Sequence, residues 1–300
     1  MNQIARRAST RDLTNHTIHN RALFCAAAAA LICALFPSLT VLGGDPSRYR
    51  PGLRNSPGQD RLSPEQLDAV LRSLREKTGF AEMQFDGDGF LTLGDRTNFT
   101  GGSETARQAL IATQNMKGVV ELETAPLRSK VSFGRIANLI TFQNRTTGQR
   151  IDACSVQIDF ADFSLLRGDK LAMAAFDLGF VILHELGHAA LDLRDTYDGS
   201  PGDCEVMVNR VRRELNLPER QTYLALVYQT VKSPSLGVTK QAELIFTKNG
   251  GKAGDKQQKF HLNWEAKLVG PVVDISTLSA SKVNEGANKG KPVAVSIAGQ

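Results

Sequence analysis

The helical run read from Lys170 to Leu193 sets two histidines and a glutamate, His184-Glu185-Leu186-Gly187-His188, behind apolar turns built from Ala174, Phe176, Val181, Ile182 and Leu183. A helix this apolar has to be buried, and buried imidazoles and carboxylates cost several kcal/mol, roughly, unless they are paired or ligated. The fold must therefore enclose this helix and supply partners for its polar residues. Residues four apart share one helix face, so His184 and His188 project together and can hold one metal ion through two ring nitrogens. Glu185 follows the first histidine and faces the open side of that metal, where it can take a proton from water. Imidazole and carboxylate ligands with an open position fit Zn2+ best.

The rest of the 300-residue chain, 41% hydrophobic and 22% charged, carries enough apolar material for a proper core. A net charge of +5 is mild. Its basic residues are spread along the chain without an aromatic-interleaved stripe, so no nucleic-acid partner is expected. At the N-terminus, Arg6, Arg7, Arg11 and Arg21 precede an apolar run from Ala22 to Phe36, with small residues around Gly43-Gly44. That order describes a secretory signal peptide over residues 1–44 and an exported protein, periplasmic or extracellular. Extending the run across residues 22–41 reaches the roughly 20 residues of a membrane span, so an uncleaved membrane anchor is the alternative. Cys154 and Cys204 remain beyond this segment. They could pair in an oxidising compartment or sit separately buried.

Residues 45–60, rich in Pro, Gly and Arg, read as a linker. A catalytic domain is expected over 61–235, a C-terminal β extension over 236–280 and a disordered tail over 281–300. Ser63-Pro64-Glu65-Gln66 predicts a helix start with a capping box, and Ser103 predicts another. Strand candidates are Val119–Leu122, Val131–Phe133, Leu139–Phe142 and Ser155–Phe160, then Ala242–Phe246 and Lys259–Leu268. Asp86-Gly87-Asp88-Gly89-Phe90 lacks an oxygen ligand at its fifth position and a glycine at its sixth, so it reads as a hairpin turn rather than a calcium loop. Nothing in the sequence fixes the oligomeric state.

Two carboxylates compete to be the third ligand. Glu205 lies seventeen positions after His188 on a separate predicted helix, with Asn209 one turn later. Asp195 follows closely in His188-Ala189-Ala190-Leu191-Asp192-Leu193-Arg194-Asp195. The HExxH helix resembles that of the zincin metallopeptidases. Leu191 and Arg194 stand where the metzincin form needs Gly and His, which removes that class. The Glu205–Asn209 spacing is similar to the gluzincins, a resemblance that implies Glu205 as ligand and Asn209 as a residue orienting a ligand histidine. Asp195 resembles the acidic ligand that other peptidases place soon after the helix. Glu205 is the preferred ligand and Asp195 the alternative. Residues 181–223, with Arg210-Val211-Arg212-Arg213, Leu217-Pro218 and Arg220-Gln221-Thr222-Tyr223, resemble a segment of bacterial effector zinc peptidases. Clostridial neurotoxin light chains use a similar Arg-x-x-Tyr pair. Val208 departs from the Glu that such effectors often carry there. The resemblance implies that Arg220 and Tyr223 stabilise an oxyanion, while Glu185 serves as general base. The expected fold is α+β and zincin-like: a small mixed or antiparallel sheet packed on the HExxH helix, with a second ligand-bearing helix closing the site. The expected reaction is zinc-dependent hydrolysis of a protein or peptide substrate. A binding or envelope protein with a structural or vestigial site is the competing expectation.

Overall fold

The strands and helices alternate in an α+β order. The structure, a computed structural model, describes residues 50–125, 132–143, 150–196, 200–233, 237–250, 256–267 and 293–296. The elements in chain order are β1 (Gly52–Asn55), α1 (Pro64–Thr78), β2 (Gln84–Phe85), β3 (Leu91–Thr92), α2 (Glu104–Asn115), β4 (Val119–Thr124), β5 (Gly134–Gln143) and β6 (Arg150–Ile158). They continue with α3 (Phe160–Leu165), β7 (Arg167–Gly168), α4 (Lys170–Ala174), α5 (Leu178–Leu191), α6 (Asp203–Glu214) and β8 (Glu219–Arg220). The last four are β9 (Leu224–Ser233), β10 (Gly237–Lys248), β11 (Gln258–Glu265) and β12 (Val293–Ser296). The predicted signal segment lies outside the described residues. Among the described residues, no helix is long and apolar enough to cross a membrane.

Four strands form a small mixed sheet in the order β1-β4-β6-β5, parallel across β1, β4 and β6 and antiparallel at the β5 edge. Val119, Val120 and Leu122 of β4 are fully buried, as expected of a strand covered on both faces. The segment read as a linker supplies β1. Leu53 is buried, and the Arg54 guanidinium pairs with Glu121 on β4. Its Pro/Gly/Arg composition hid a strand whose partner lies more than sixty residues away, because parallel pairing leaves no local period to read. The expected hairpin at Asp86–Phe90 is present: Asp86 Oδ1 accepts from Asp88 N and Phe90 N, and β2 pairs with β3.

The second sheet runs β12-β9-β10-β11-β7, with β8 also on β10, and its pairings are antiparallel. The expected boundary at 235/236 falls inside the β9–β10 hairpin, so residues 237–267 continue the sheet that β8 and β9 begin. Val293–Ser296, within the segment read as a tail, pairs with β9.

One apolar cluster joins the first sheet to α1, α2, α5 and α6. A second gathers Phe133, Phe176, Phe246 and Trp264 beneath the other sheet. Phe133 meets Phe176 and Trp264 edge to face at 5.0 and 5.4 Å, a favoured aromatic geometry. Helix α5 contributes to both clusters, Ile182, Leu183 and Leu186 to one and Val181 to the other. The predicted long helix breaks at Asp177. That side chain caps α5 by accepting from Gly179 N and Phe180 N, and the Lys77 ammonium pairs with it at 2.5 Å.

Helix α6 is tied to α2 through Glu214, whose carboxylate accepts from Ser103 Oγ at 2.6 Å, Thr105 Oγ1 at 2.7 Å and Thr105 N at 2.9 Å. Partial burial raises the Glu214 pKa, but the hydrogen bonds from Ser103 and Thr105 outweigh it and hold the value down to about 2. The folded pKa lies below the ordinary 4.5, so this stabilisation is present above pH 4.5 and is lost as pH falls toward 2. Glu214→Ala is expected to cost about 1 kcal/mol at pH 7 after solvent screening. Its Tm deficit against wild type, followed by circular dichroism, should shrink steadily below pH 4.5.

Candidate metal centre

The two histidines converge as helix spacing requires. His184 is 7% exposed and Glu185 4%. The backbone then turns at Asp192, in the left-handed region at φ 52°, and the following residues run back along α5. His188 Nδ1 donates to Leu193 O at 2.8 Å, which leaves Nε2 free to bind a metal. Asp195 Oδ2 lies 3.3 Å from His184 Nε2 and 3.1 Å from His188 Nε2. Gly202 makes this placement geometrically open. A Cβ there would stand 2.6 Å from Arg194 O and from Asp195 Cα. No larger residue lets residues 194–196 pass so close to the start of α6.

Four donors that could hold a metal ion meet here: His184, His188, Asp195 and Cys204, one atom each, all within 4.8 Å of one another. Asp195 Oδ1 is buried and has no hydrogen-bond partner. An orphaned carboxylate oxygen beside two ring nitrogens fits a cation better than it fits an apolar wall. Burial lowers the His184 pKa, yet Asp195 and Glu205 outweigh it and raise the ring to about 10. The same pairing lowers Asp195 far below the usual carboxylate range, against the effect of burial. Cys204 Sγ sits 3.3 Å from His188 Nδ1. Burial, then Asp195 and Glu185, push its thiol pKa up.

Glu205 is near the centre but employed differently. It is 1% exposed and accepts from Arg212 Nη1 and, at 3.1 Å, from Arg220 Nη1. Burial raises its pKa, and the two guanidiniums more than reverse that and lower it. Its Oε2 lies 3.6 Å from His184 Nδ1, so it faces the nitrogen that does not point at Asp195. Of the two candidate ligands, Asp195, the alternative, stands nearer both ring nitrogens than the preferred Glu205. Asp195 meets both Nε2 atoms, and Glu205 orients His184 from behind. Asn209 touches neither histidine. Its Oδ1 accepts from Arg220 N and Arg212 Nη1, and its Nδ2 donates to Arg220 O, which clamps β8 onto α6.

Arg220 and Tyr223 separate as well. The Arg220 guanidinium donates to Glu205, Thr222 O and Tyr223 O and so holds its own turn together, at the wall of the recess that His184 and Glu185 also line. Tyr223 reaches the centre. Its ring stacks on His184 at 5.6 Å, and its hydroxyl donates to Asp195 Oδ2 at 2.5 Å. Glu185 Oε2 accepts from Ile136 N of β5 at 2.9 Å. Burial raises the Glu185 pKa, His184 and His188 oppose this, and Asp195 adds to it. The edge strand beside the site is therefore β5. The strand candidate Ser155–Phe160 lies mostly in β6, between β4 and β5.

Sequence reading missed Cys204 and Arg212. Glu205, Asn209 and Arg212 stand at i, i+4 and i+7, one face of a helix, so the Glu205–Arg212 pair was accessible from periodicity alone. Nothing local marked Cys204, which reaches the centre only because α6 packs against Gly187. No family model, curated protein or solved structure matches this chain.

Removing the carboxylates separates their roles. Glu205→Ala leaves two buried guanidiniums short of their shared anion and should cost the metal-free protein about 3–5 kcal/mol. Asp195→Ala should change the metal-free stability by about 1 kcal/mol while abolishing metal uptake. Thermal melts and metal analysis of both variants check this. An Asp195→Ala protein that keeps full metal content would return the ligand role to Glu205.

Proposed function

We propose that the chain is a zinc-dependent hydrolase of the zincin type, a peptidase, with His184, His188 and Asp195 as its metal ligands. The reading is carried by the meeting of both Nε2 atoms with Asp195 Oδ2 beside Glu185. Each ring is oriented from its other nitrogen, His188 by Leu193 O and His184 by Glu205, the outer support that a metal site needs. The mixed sheet with an antiparallel edge strand beside the HExxH helix supports the zincin fold.

Zinc bound there supplies Lewis-acid chemistry, making a water nucleophilic near neutral pH and polarising the scissile carbonyl. Glu185 takes the proton from the attacking water at Oε1, since Oε2 is engaged by Ile136 N, and passes it to the leaving amine. Its raised pKa suits a group that must hold a proton between those two steps. Tyr223 fixes Asp195 and the His184 ring, so both nitrogens keep their aim. The exposed β5 edge offers main-chain groups to an extended peptide. The N-terminal basic and apolar segment fits export, by cleavage or as an anchor.

Purified protein is expected to hold one zinc per chain and to cleave peptides in a chelator-sensitive manner. Glu185→Gln should keep the zinc and lose about a thousandfold or more in turnover. Absence of bound metal, or full turnover in that variant, defeats the reading.

A second reading has its own observation. With Cys204 as a fourth ligand the site would be closed by protein, as structural zinc sites are. Cobalt substitution distinguishes the two. An open site should show cobalt bands indifferent to Cys204→Ser, whereas a closed one carries a thiolate charge-transfer band that this variant removes.

A further inference from the structure

Two arginines share one anion in the wall of the centre. Arg212 and Arg220 both pair with Glu205, so two buried guanidiniums share one carboxylate. The Arg212 side chain is 2% exposed. Its Nε donates to Ala175 O at 2.8 Å, and its Nη1 donates to Glu205 and to Asn209. Its Nη2 donates to no described residue. The faces of Phe180 and Phe246, 5.0 and 5.5 Å from Cζ, are the other neighbours of this cation, and they compensate only part of its charge. Burial lowers the Arg212 pKa, with Glu205 opposing.

Arg212 borders a recess that is partly open to solvent. Phe133, Phe176 and Val181 give it apolar sides, and His184, Glu185, Glu205 and Arg220 line it too. With Nε and Nη1 engaged, the guanidinium has Nη2 left to donate, and a charge-assisted hydrogen bond from it favours a small anion. A carboxylate meets that description, and the recess adjoins the atoms that would act on a scissile bond.

We propose that this recess is a specificity pocket for a substrate carboxylate, donated by an acidic side chain or a chain terminus next to the scissile bond, with Arg212 as its recognition residue. The substrate class rests on the peptidase reading above, whereas the anion site itself does not. Arg220 supports the pocket by holding Glu205 to one side, so that Arg212 keeps Nη2 available.

Succinate carries a carboxylate at each end, and succinamide is its uncharged counterpart. Calorimetric titration of the full-length zinc-loaded protein should show succinate binding about tenfold or more tightly than succinamide, the scale of one charge-assisted contact. Arg212→Met should abolish the difference. Should that variant fail to fold, the same two ligands titrated into zinc-free wild type decide the matter. A difference that persists there and in zinc-free His184→Asn, His188→Asn protein belongs to the buried guanidinium, and one that disappears in either overturns the proposal. Matched peptides carrying Asp, Asn or Leu beside the scissile bond, with free or amidated C-termini, give the second arm. Preference for Asp supports a side-chain source, and preference for a free C-terminus supports a terminal one. Cleavage indifferent to charge, with equal binding of both small ligands, overturns the pocket and leaves the peptidase reading standing. Succinate discrimination without any cleavage overturns the peptidase reading and leaves the anion site in place.

Discussion

Glu205 and its two arginines form the interaction on which the rest of the centre depends. One buried carboxylate draws in Arg212 from its own helix and Arg220 from β8, and its remaining edge faces His184. Burying three charges is expensive, and it is tolerable only because the arginines donate further hydrogen bonds to Ala175 O, Asn209 Oδ1 and the 222–223 carbonyls. The result is a rigid joint between the two apolar clusters. Arg212 lies against Phe180 of one cluster and Phe246 of the other.

That joint explains why the histidines hold their aim. Helix α5 is packed from both sides, and His184 is pinned between Glu205 behind and the Tyr223 ring alongside. His188 depends instead on the left-handed turn at Asp192, which brings Leu193 O to its Nδ1 and Asp195 to its Nε2. A metal site assembled this way has its ligand directions set before any ion arrives, so binding does not need to order the loop.

Local signals were read well where local chemistry sets the structure. The Ser63 capping box and the Ser103 cap formed as expected, because a side chain reaching the N–H three residues on is fixed within one turn. The Asp86 hairpin followed for the same reason. Strand β1 was lost among Pro, Gly and Arg, and the long helix over 170–193 broke where Asp177 and Lys77 meet across 100 residues. The β9–β10 hairpin ran through an expected boundary. Strand β1 and the helix break depend on partners that no window of sequence contains, whereas the β9–β10 hairpin is local.

The same division runs through the centre. The sequence by itself determined that His184, Glu185 and His188 share one end of a buried apolar helix, since 3.6 residues per turn leaves no other arrangement. It also supplied the two candidate carboxylates, Asp195 and Glu205. Only the tertiary structure placed them. Asp195 reaches the ring nitrogens because Gly202 lets its segment pass α6 closely, and Glu205 is held back by two cations that arrive from different elements. Spacing along a helix is a property of the chain, whereas competition between a metal and an arginine for one carboxylate is settled only by where the fold puts the arginine.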